Sequence, residues 1–153
     1  GEKIPFENEK FHGVFAECTL SLMDDLKCVV GEVFRVLKPK GWFVITDVYA
    51  KNPEFIRDLK NISVNSCMRN PQDLELLKET MKKSGFHILL LEDCSQMLKQ
   101  LMVKTIFSYG SMSIFWNKAA KCSIDGTKFQ NLLKNCKPGY FIMIAEKEDK
   151  CCE

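Results

Sequence analysis

Two motifs are missing from the 153 residues: a glycine-rich G-x-G-x-G stretch and a C-x-x-C pair. Without C-x-x-C, neither a zinc ribbon nor a thioredoxin-type redox site is supported. The longest apolar runs fall far short of the roughly 20 residues that a membrane-spanning helix needs. The first residues do not form a signal peptide either. The sequence therefore predicts a cytoplasmic protein without a membrane partner.

Neither sign of charge dominates, since 22 basic and 20 acidic residues leave a net charge of +2. Both signs are interspersed along the chain, which gives no electrostatic basis for binding nucleic acid or a membrane surface. The hydrophobic content of 46% and the charged content of 27% are ordinary values for a globular protein. At this length we expect one domain with a substantial core.

Cysteine, by contrast, is abundant, at positions 18, 28, 67, 94, 122, 136, 151 and 152. Because nothing indicates secretion, we interpret these residues as reduced thiols rather than as a disulfide framework. Cys28 and Cys136 fall among apolar helix positions and are predicted to pack as small hydrophobic residues. Cys151 and Cys152 are predicted to be exposed terminal thiols, prone to oxidation rather than active in metal or redox chemistry.

The first third of the chain predicts two strands joined by a helix. Val14–Ala16 is an apolar run of the length of a buried strand. The helix that follows has apolar residues at three- and four-residue spacing and an S-x-x-D start at Ser21. Trp42–Thr46 then forms a β-branched and aromatic strand that ends in Asp47. Two buried strands joined in this way form a βαβ unit, and hence a parallel sheet covered on both faces.

The rest of the chain alternates helices and strands without repeats or linkers, so no second domain is predicted. In order, the patterns predict a short helix over Glu54–Leu59, a helix over Asn70–Gly85, a strand over Phe86–Leu91, helices over Ser95–Gly110 and Ser111–Ala120, a short helix from Asp125, and a last strand over Tyr140–Ala145. Helical spacing places Leu101, Ile106, Tyr109 and Ile114 among the inward-facing residues of the two middle helices.

Several of these features occur together in one known family. Pro5-Phe6, Phe11 to Val14, the Arg35–Pro39 run, Gly41 and a strand ending in Asp47 resemble the second half of a class I S-adenosylmethionine-dependent methyltransferase. The resemblance covers nearly the whole chain. It implies an α/β fold with a Rossmann-like methyltransferase sheet, of which residues 1–153 supply the C-terminal part, strands four to seven with flanking helices. His12 and Lys40 depart from the usual aspartate and glycine, both away from the cofactor end of the strands.

The resemblance also implies S-adenosylmethionine as the cofactor and a small molecule as the methyl acceptor. The family holds its cofactor mainly on a glycine-rich loop after the first strand, and that loop is missing here. We therefore expect a partial domain that lacks the N-terminal cofactor-binding strands and does not bind the cofactor alone.

The expected strand order is four, five, seven, six, with the last strand antiparallel. Strand four, at Val14, would then be an unpaired edge. We expect this edge to dimerise, to be covered by Gly1–Lys10 or to pair with the missing half.

For the site, the resemblance places the loop after strand four beside the cofactor and the end of strand five beside the substrate. The candidate cofactor-binding residues are Glu17, Cys18, Thr19 and Leu20, and the substrate-side candidates are Asp47, Tyr49 and Cys67. Three roles stay open. Glu17 is either solvated or accepts a hydrogen bond or a proton, Asp47 either organises the loop or acts as a base, and Tyr49 either packs or contacts substrate. No catalytic residue and no metal ligand is predicted.

Cys18 and Cys67 allow two interpretations. In the first, Cys18 is a small apolar side chain packed under the loop. The second comes from a resemblance to arsenite methyltransferases, which carry cysteines at matching places and would use two thiolates to bind a thiophilic substrate such as arsenite. The glycine pair that usually follows the second cysteine is replaced here by Met68-Arg69.

Two alternatives remain for the whole chain: a split protein that binds a partner carrying the first strands, and a degenerate interaction domain without catalysis.

Overall fold

The computed structural model describes residues 2–62, 64, 66–119 and 125–149. Its centre is a four-stranded sheet of strands β1 (Phe11–Glu17), β2 (Leu37–Ala50), β3 (Phe86–Asp93) and β4 (Pro138–Lys147). The strands lie in the order β1-β2-β4-β3, with β1 parallel to β2 and β4 antiparallel to both of its neighbours. This is the predicted order four, five, seven, six, and it confirms the Rossmann-like α/β class.

Six helices are found in the described part of the chain: α1 (Leu26–Val36), α2 (Ile56–Lys60), α3 (Leu74–Lys83), α4 (Ser95–Tyr109), α5 (Met112–Ala119) and α6 (Gly126–Cys136). Short 3-10 turns occur at Leu20–Leu22, Pro53–Phe55 and Cys67–Arg69. The predicted helices are therefore present, with small differences at their ends. None of the described helices is both long enough and apolar enough to cross a bilayer.

The starts of two helices differ from the predicted ones. Asp25 rather than Ser21 caps α1, and its carboxylate accepts a hydrogen bond of 2.9 Å from the first turn. Asp73 caps α3 in the same way, whereas Asn70 was predicted to do so. Both acids directly precede the first helical residue, where a side-chain oxygen reaches the free backbone amides. Ser21 instead bonds to Asp47, outside its own segment.

Two apolar clusters cover opposite faces of the sheet. The first joins the sheet to α1 and α3 through Val30, Phe43 and Leu77, which have no exposed surface. The second joins the other face to α2, α5 and α6 and contains Leu59 and Phe129, which are equally buried. Each such side chain contributes about 1.5–3 kcal/mol by leaving water. Successive residues of β2 face the two clusters alternately, so its C-terminal half is covered on both sides.

The predicted inward face of α4 is wrong. Leu101, Ile106 and Tyr109 are 61%, 42% and 41% exposed, and of the predicted inward residues on this helix only Leu98 is buried. Ile114 on α5 is also exposed. Apolar residues occur on every side of α4, so their spacing does not define a single face.

The strand that contains Val14–Ala16 is an edge strand, as the expected strand order predicts, although its apolar run also indicated burial. Among the described residues β2 is the only strand that pairs with β1, and Phe15 is 70% exposed. The amides of Glu9 and Lys10 donate to the carbonyl oxygens of Arg35 and Val36, so these bonds of the described N-terminal segment do not support the expectation that it covers the edge. It lies instead along α1, where the Arg35 guanidinium donates to the carbonyl oxygens of Ile4 and Phe6 at 3.0 and 2.8 Å. Dimerisation and pairing with a missing half stay predictions.

The cysteines follow their predictions in part. The five described ones, at positions 18, 28, 67, 94 and 136, are all free thiols. Cys136 is buried as predicted, but Cys28 is exposed on α1, so its predicted packing role is wrong. Cys122, Cys151 and Cys152 lie outside the described residues.

Candidate functional site

The loop that leaves β1 turns sharply at Cys18. The Cys18 amide donates to the Thr46 carbonyl oxygen at 2.7 Å, which continues the pairing with β2 by one residue. Its φ of 48° lies in the left-handed region that non-glycine residues seldom adopt. The chain is thereby redirected into the turn Leu20–Leu22, which lies at the carboxyl ends of the two parallel strands. Open parallel sheets bind their ligands at this edge.

The loop is held by Asp47, a fully buried residue of β2. Its carboxylate accepts hydrogen bonds from the Ser21 amide at 3.0 Å, the Ser21 hydroxyl at 2.8 Å and the Val48 amide at 2.7 Å. Burial raises the pKa of Asp47, and the bonds from Ser21 and Val48 oppose that shift. These bonds tie the Asp47 carboxylate to the loop, as expected of a residue that organises it, and a role as a base stays untested.

Cys18 and Cys67 come together although 48 residues separate them in the sequence. Cys67 begins the turn Cys67–Arg69, and its pKa is raised to about 11 by burial, by the adjacent Cys18 thiol and by Asp47. The Cys18 Sγ lies 3.8 Å from the Tyr140 hydroxyl. The two thiols and this phenol therefore form a half-buried cluster beside the loop.

The other predicted residues differ in how accessible they are. Glu17 is exposed, and Thr19 is half-buried with no capping bond from its side chain. Leu20 is 2% exposed and packs into the core. Tyr49 is also buried, with its ring edge-on to Phe141 at a centroid distance of 6.1 Å.

Tyr49 also meets Gly139 on the neighbouring strand β4. A Cβ atom at Gly139 would overlap the Tyr49 ring and the Ser95 hydroxyl, so this close approach requires glycine. Tyr49 therefore makes the contacts that the packing interpretation expects, while contact with substrate stays a prediction.

Two residues of the site were not predicted as parts of it. Ser21 was interpreted as a helix start, and the distance in sequence to Asp47 gave no signal for their contact. Tyr140 could have been found from topology, because an antiparallel last strand begins at the edge where the parallel strands end. Burial raises the pKa of the Tyr140 hydroxyl, and a hydrogen bond with Thr46 opposes this shift. Within the described residues, no group of three or more acidic, histidine or cysteine side chains could hold a metal ion.

Comparison with known proteins agrees with this geometry. Residues 1–135 match a family model described as a methyltransferase domain. The botryococcene C-methyltransferase of Botryococcus braunii is 32% identical over 92 residues, which cover 56% of this chain and 24% of that protein. The chain thus spans about a quarter of the length of this curated relative.

Solved structures resemble the chain along almost its whole length. A Galdieria sulphuraria protein that carries the name of a sarcosine dimethylglycine methyltransferase has a TM-score of 0.68 at 18% identity, covering 97% of this chain and 57% of its own. Phosphoethanolamine N-methyltransferase 2 of Haemonchus contortus, solved with phosphomonomethylethanolamine and S-adenosylhomocysteine, has a TM-score of 0.63 at 19% identity, covering 94% and 35%. At these identities the likeness concerns the fold.

Proposed function

The chain belongs to the class I S-adenosylmethionine-dependent methyltransferase family, and from this premise we propose that it forms the second half of a domain that methylates a small molecule. S-adenosylmethionine is the cofactor of the family. The observation that carries the proposal is the bonding of Ser21 to Asp47, which fixes the Glu17–Leu20 loop at the carboxyl ends of β1 and β2. A ligand site at this edge needs a loop that is held in place before binding.

The residues present fit one flank of such a cofactor. The cofactor would be contacted by the exposed Glu17 carboxylate, the Cys18 side chain and the Leu20 backbone. The Thr19 hydroxyl, which makes no capping hydrogen bond to the turn, would also contact it. On the substrate side, Cys67 would contact the acceptor, while Asp47 and Tyr49 hold the surrounding backbone. The free edge of β1 leaves room for the strand that would carry the other flank.

When bound, S-adenosylmethionine supplies an electrophilic methyl group on a sulfonium. The chain's own contribution is to position the acceptor and to exclude water from the reacting groups. Asp47 contributes by orientation alone, because all its hydrogen bonds are directed at the loop and at Val48. If the nucleophile of the acceptor must lose a proton, the exposed Glu17 carboxylate is the group of the loop that could take it.

The test is a pair of calorimetric titrations with S-adenosylhomocysteine. One uses this chain, and the other uses the protein extended by its upstream coding sequence. We expect binding by the extended protein only, with an affinity near micromolar, or roughly 8 kcal/mol. Binding by the chain alone would refute the proposal of a half site, and no binding by the extended protein would refute the proposed cofactor function.

A second candidate function is methylation of a thiophilic substrate such as arsenite. It is favoured by the pairing of the Cys18 and Cys67 thiols, which suits a soft atom. Replacing each cysteine singly by serine in the extended protein should abolish turnover of arsenite. Unchanged turnover in both variants would exclude this candidate.

A third candidate is a split or degenerate domain that binds a protein partner without catalysis. The exposed Phe15 on the edge strand β1 favours it, because an apolar edge can accept another strand. The titrations above discriminate this candidate, since it predicts no cofactor binding by either protein.

For the location of the protein, the free thiols support the cytoplasm, where cysteines stay reduced.

A further inference from the structure

The surface also has a concave region that the thiol cluster does not line. It is a cleft of about 890 Å³ between the start of α1, helix α2 and the start of α3. Its apolar lining includes Met23, Ile56 and Leu76, and none of Cys18, Cys67 and Tyr140 lines it. The volume is in the range of sites for small organic ligands.

The acidic groups on its lining are mostly engaged by the protein. The Asp25 carboxylate accepts a hydrogen bond of 2.9 Å from the first turn of α1. The Asp73 carboxylate accepts bonds of 3.0 and 3.2 Å from the first turn of α3. Glu79 is paired with Lys83 at 2.7 Å. Helix amides or a lysine thus engage three of the four acids, which keep their charge, and Asp24 is the fourth. Lys83 also lines the cleft, so four basic and four acidic side chains are present.

The remaining cations have no such partners. In the described part of the chain, Lys27, Arg57 and Lys60 form no ion pair, although all three line the cleft. Burial raises the pKa of Cys136 on α6, and Asp58 and Glu54 of the Pro53–Lys60 segment add to the shift, so both acids lie near α6. This segment therefore directs its cations towards the cleft and its acids towards α6. Lys27, Arg57 and Lys60 are therefore the lining cations that remain to contact an anionic ligand.

We propose that this cleft binds an organic anion with an apolar body, its carboxylate or phosphate group lying against Arg57 and Lys60. The apolar side chains would cover the body of the ligand, and the guanidinium would bind its oxygens in a bidentate manner. The cleft shares Leu20 with the Glu17–Leu20 loop. The proposal still goes beyond methyl transfer, since the cations that would bind the anion, Arg57 and Lys60, belong neither to that loop nor to the thiol pair.

The experiment is a titration of the ¹⁵N-labelled chain, followed by amide chemical shifts, with decanoate, decyl phosphate and decyltrimethylammonium. We expect either anion to shift the amides of Lys27, Ile56 and Leu76, and the cation to leave them in place. The variant R57Q/K60Q should weaken binding of the anion about tenfold, since two charge-assisted contacts are removed. Both replaced side chains are exposed, so the fold is expected to persist.

The matched control is K99Q/K104Q, which removes two exposed lysines from α4, where apolar side chains are also exposed. This variant should bind the anion like the unmodified chain. Three outcomes would overturn the proposal: equal binding of the cation, shifts confined to α4 or the edge of β1, or an unchanged affinity in R57Q/K60Q.

Discussion

The Asp47 carboxylate binds both the amide and the hydroxyl of Ser21, at 3.0 and 2.8 Å, across 26 residues of sequence. One buried acid on β2 thereby fixes the loop that follows β1. The contact links the ends of two neighbouring parallel strands, which is where the cofactor side and the substrate side of the proposed site meet. The position of the loop therefore depends on hydrogen bonds to a buried carboxylate of the core.

The first prediction concerns the Ser21 hydroxyl. Ser21→Ala leaves one Asp47 oxygen buried without this donor, so we expect a loss of about 1–3 kcal/mol in the free energy of unfolding. Denaturant unfolding measures the change. Ser108→Ala, at an exposed position of α4, serves as the control and should stay within about 0.5 kcal/mol. Equal effects of the two replacements would contradict the bonding described.

The second prediction is a pH dependence with a defined sign. Burial raises the folded-state pKa of Asp47 above its ordinary value of 3.8, so the folded protein binds this proton more tightly than the unfolded chain. The stability contributed by Asp47 should rise as the pH falls through the folded pKa, and level off below 3.8. The advantage of the unmodified chain over Asp47→Asn, measured by denaturant unfolding, should thus be larger near pH 4 than at pH 7.

Glu32 supplies a control of the opposite sign. A hydrogen bond from Arg35 lowers the pKa of Glu32 to about 2 from an ordinary value of 4.5. Its contribution is present above pH 4.5 and is lost as the pH falls towards 2. The advantage of the unmodified chain over Glu32→Gln should therefore shrink on acidification. A common pH trend for both variants would show that neither shift controls stability.

Much of the sheet was predictable from the sequence, because strong local patterns coincide with its elements. The apolar run at Trp42–Thr46 and the spacing of α1 define two parallel strands and their crossover without further information. The resemblance to a known family then supplied the antiparallel last strand. Helix starts were less predictable, since Ser21 and Asp25 both satisfy the local capping pattern and only the contact with Asp47 separates them.

The site was predictable in its location but not in its bonding. The candidate residues from Glu17 to Leu20 follow from where a parallel strand ends. That Leu20 turns into the core while Glu17 stays exposed depends on the turn at Cys18, whose positive φ no local pattern indicates. The uncovered side of α4 was missed for a related reason: which apolar side chains are buried depends on the neighbouring elements.

The third prediction is association through the edge of β1. Phe15 lies on the unpaired edge strand β1 and is 70% exposed. We therefore expect the chain to form dimers at micromolar concentrations. Phe15→Lys should shift the mass measured by light scattering towards the monomer, because a charge opposes edge pairing. Phe107→Lys, at an 87% exposed position of α4, is the matched control. A dimer lost only in the Phe107 variant would assign the contact to α4 instead.

The fourth prediction uses thiol reactivity to test the pairing of Cys18 with Cys67. The pKa of Cys67 is about 11, so at pH 8 roughly one thiol in a thousand is ionised, and alkylation by iodoacetamide should be slow. The exposed Cys28 should react far sooner. Since the Cys18 thiol is one cause of the raised pKa, Cys18→Ser should speed the modification of Cys67, as measured by peptide mass mapping.

Cys94→Ser is the control for this experiment, because Cys94 precedes α4 and contributes nothing to the raised pKa of Cys67. Its replacement should leave the alkylation rate of Cys67 unchanged. An equal rate in the Cys18 variant would mean that burial alone slows Cys67 and that the two thiols do not face each other. The case for a thiophilic substrate would then lose its structural basis, while the methyltransferase assignment, which depends on the family match over residues 1–135, would stand.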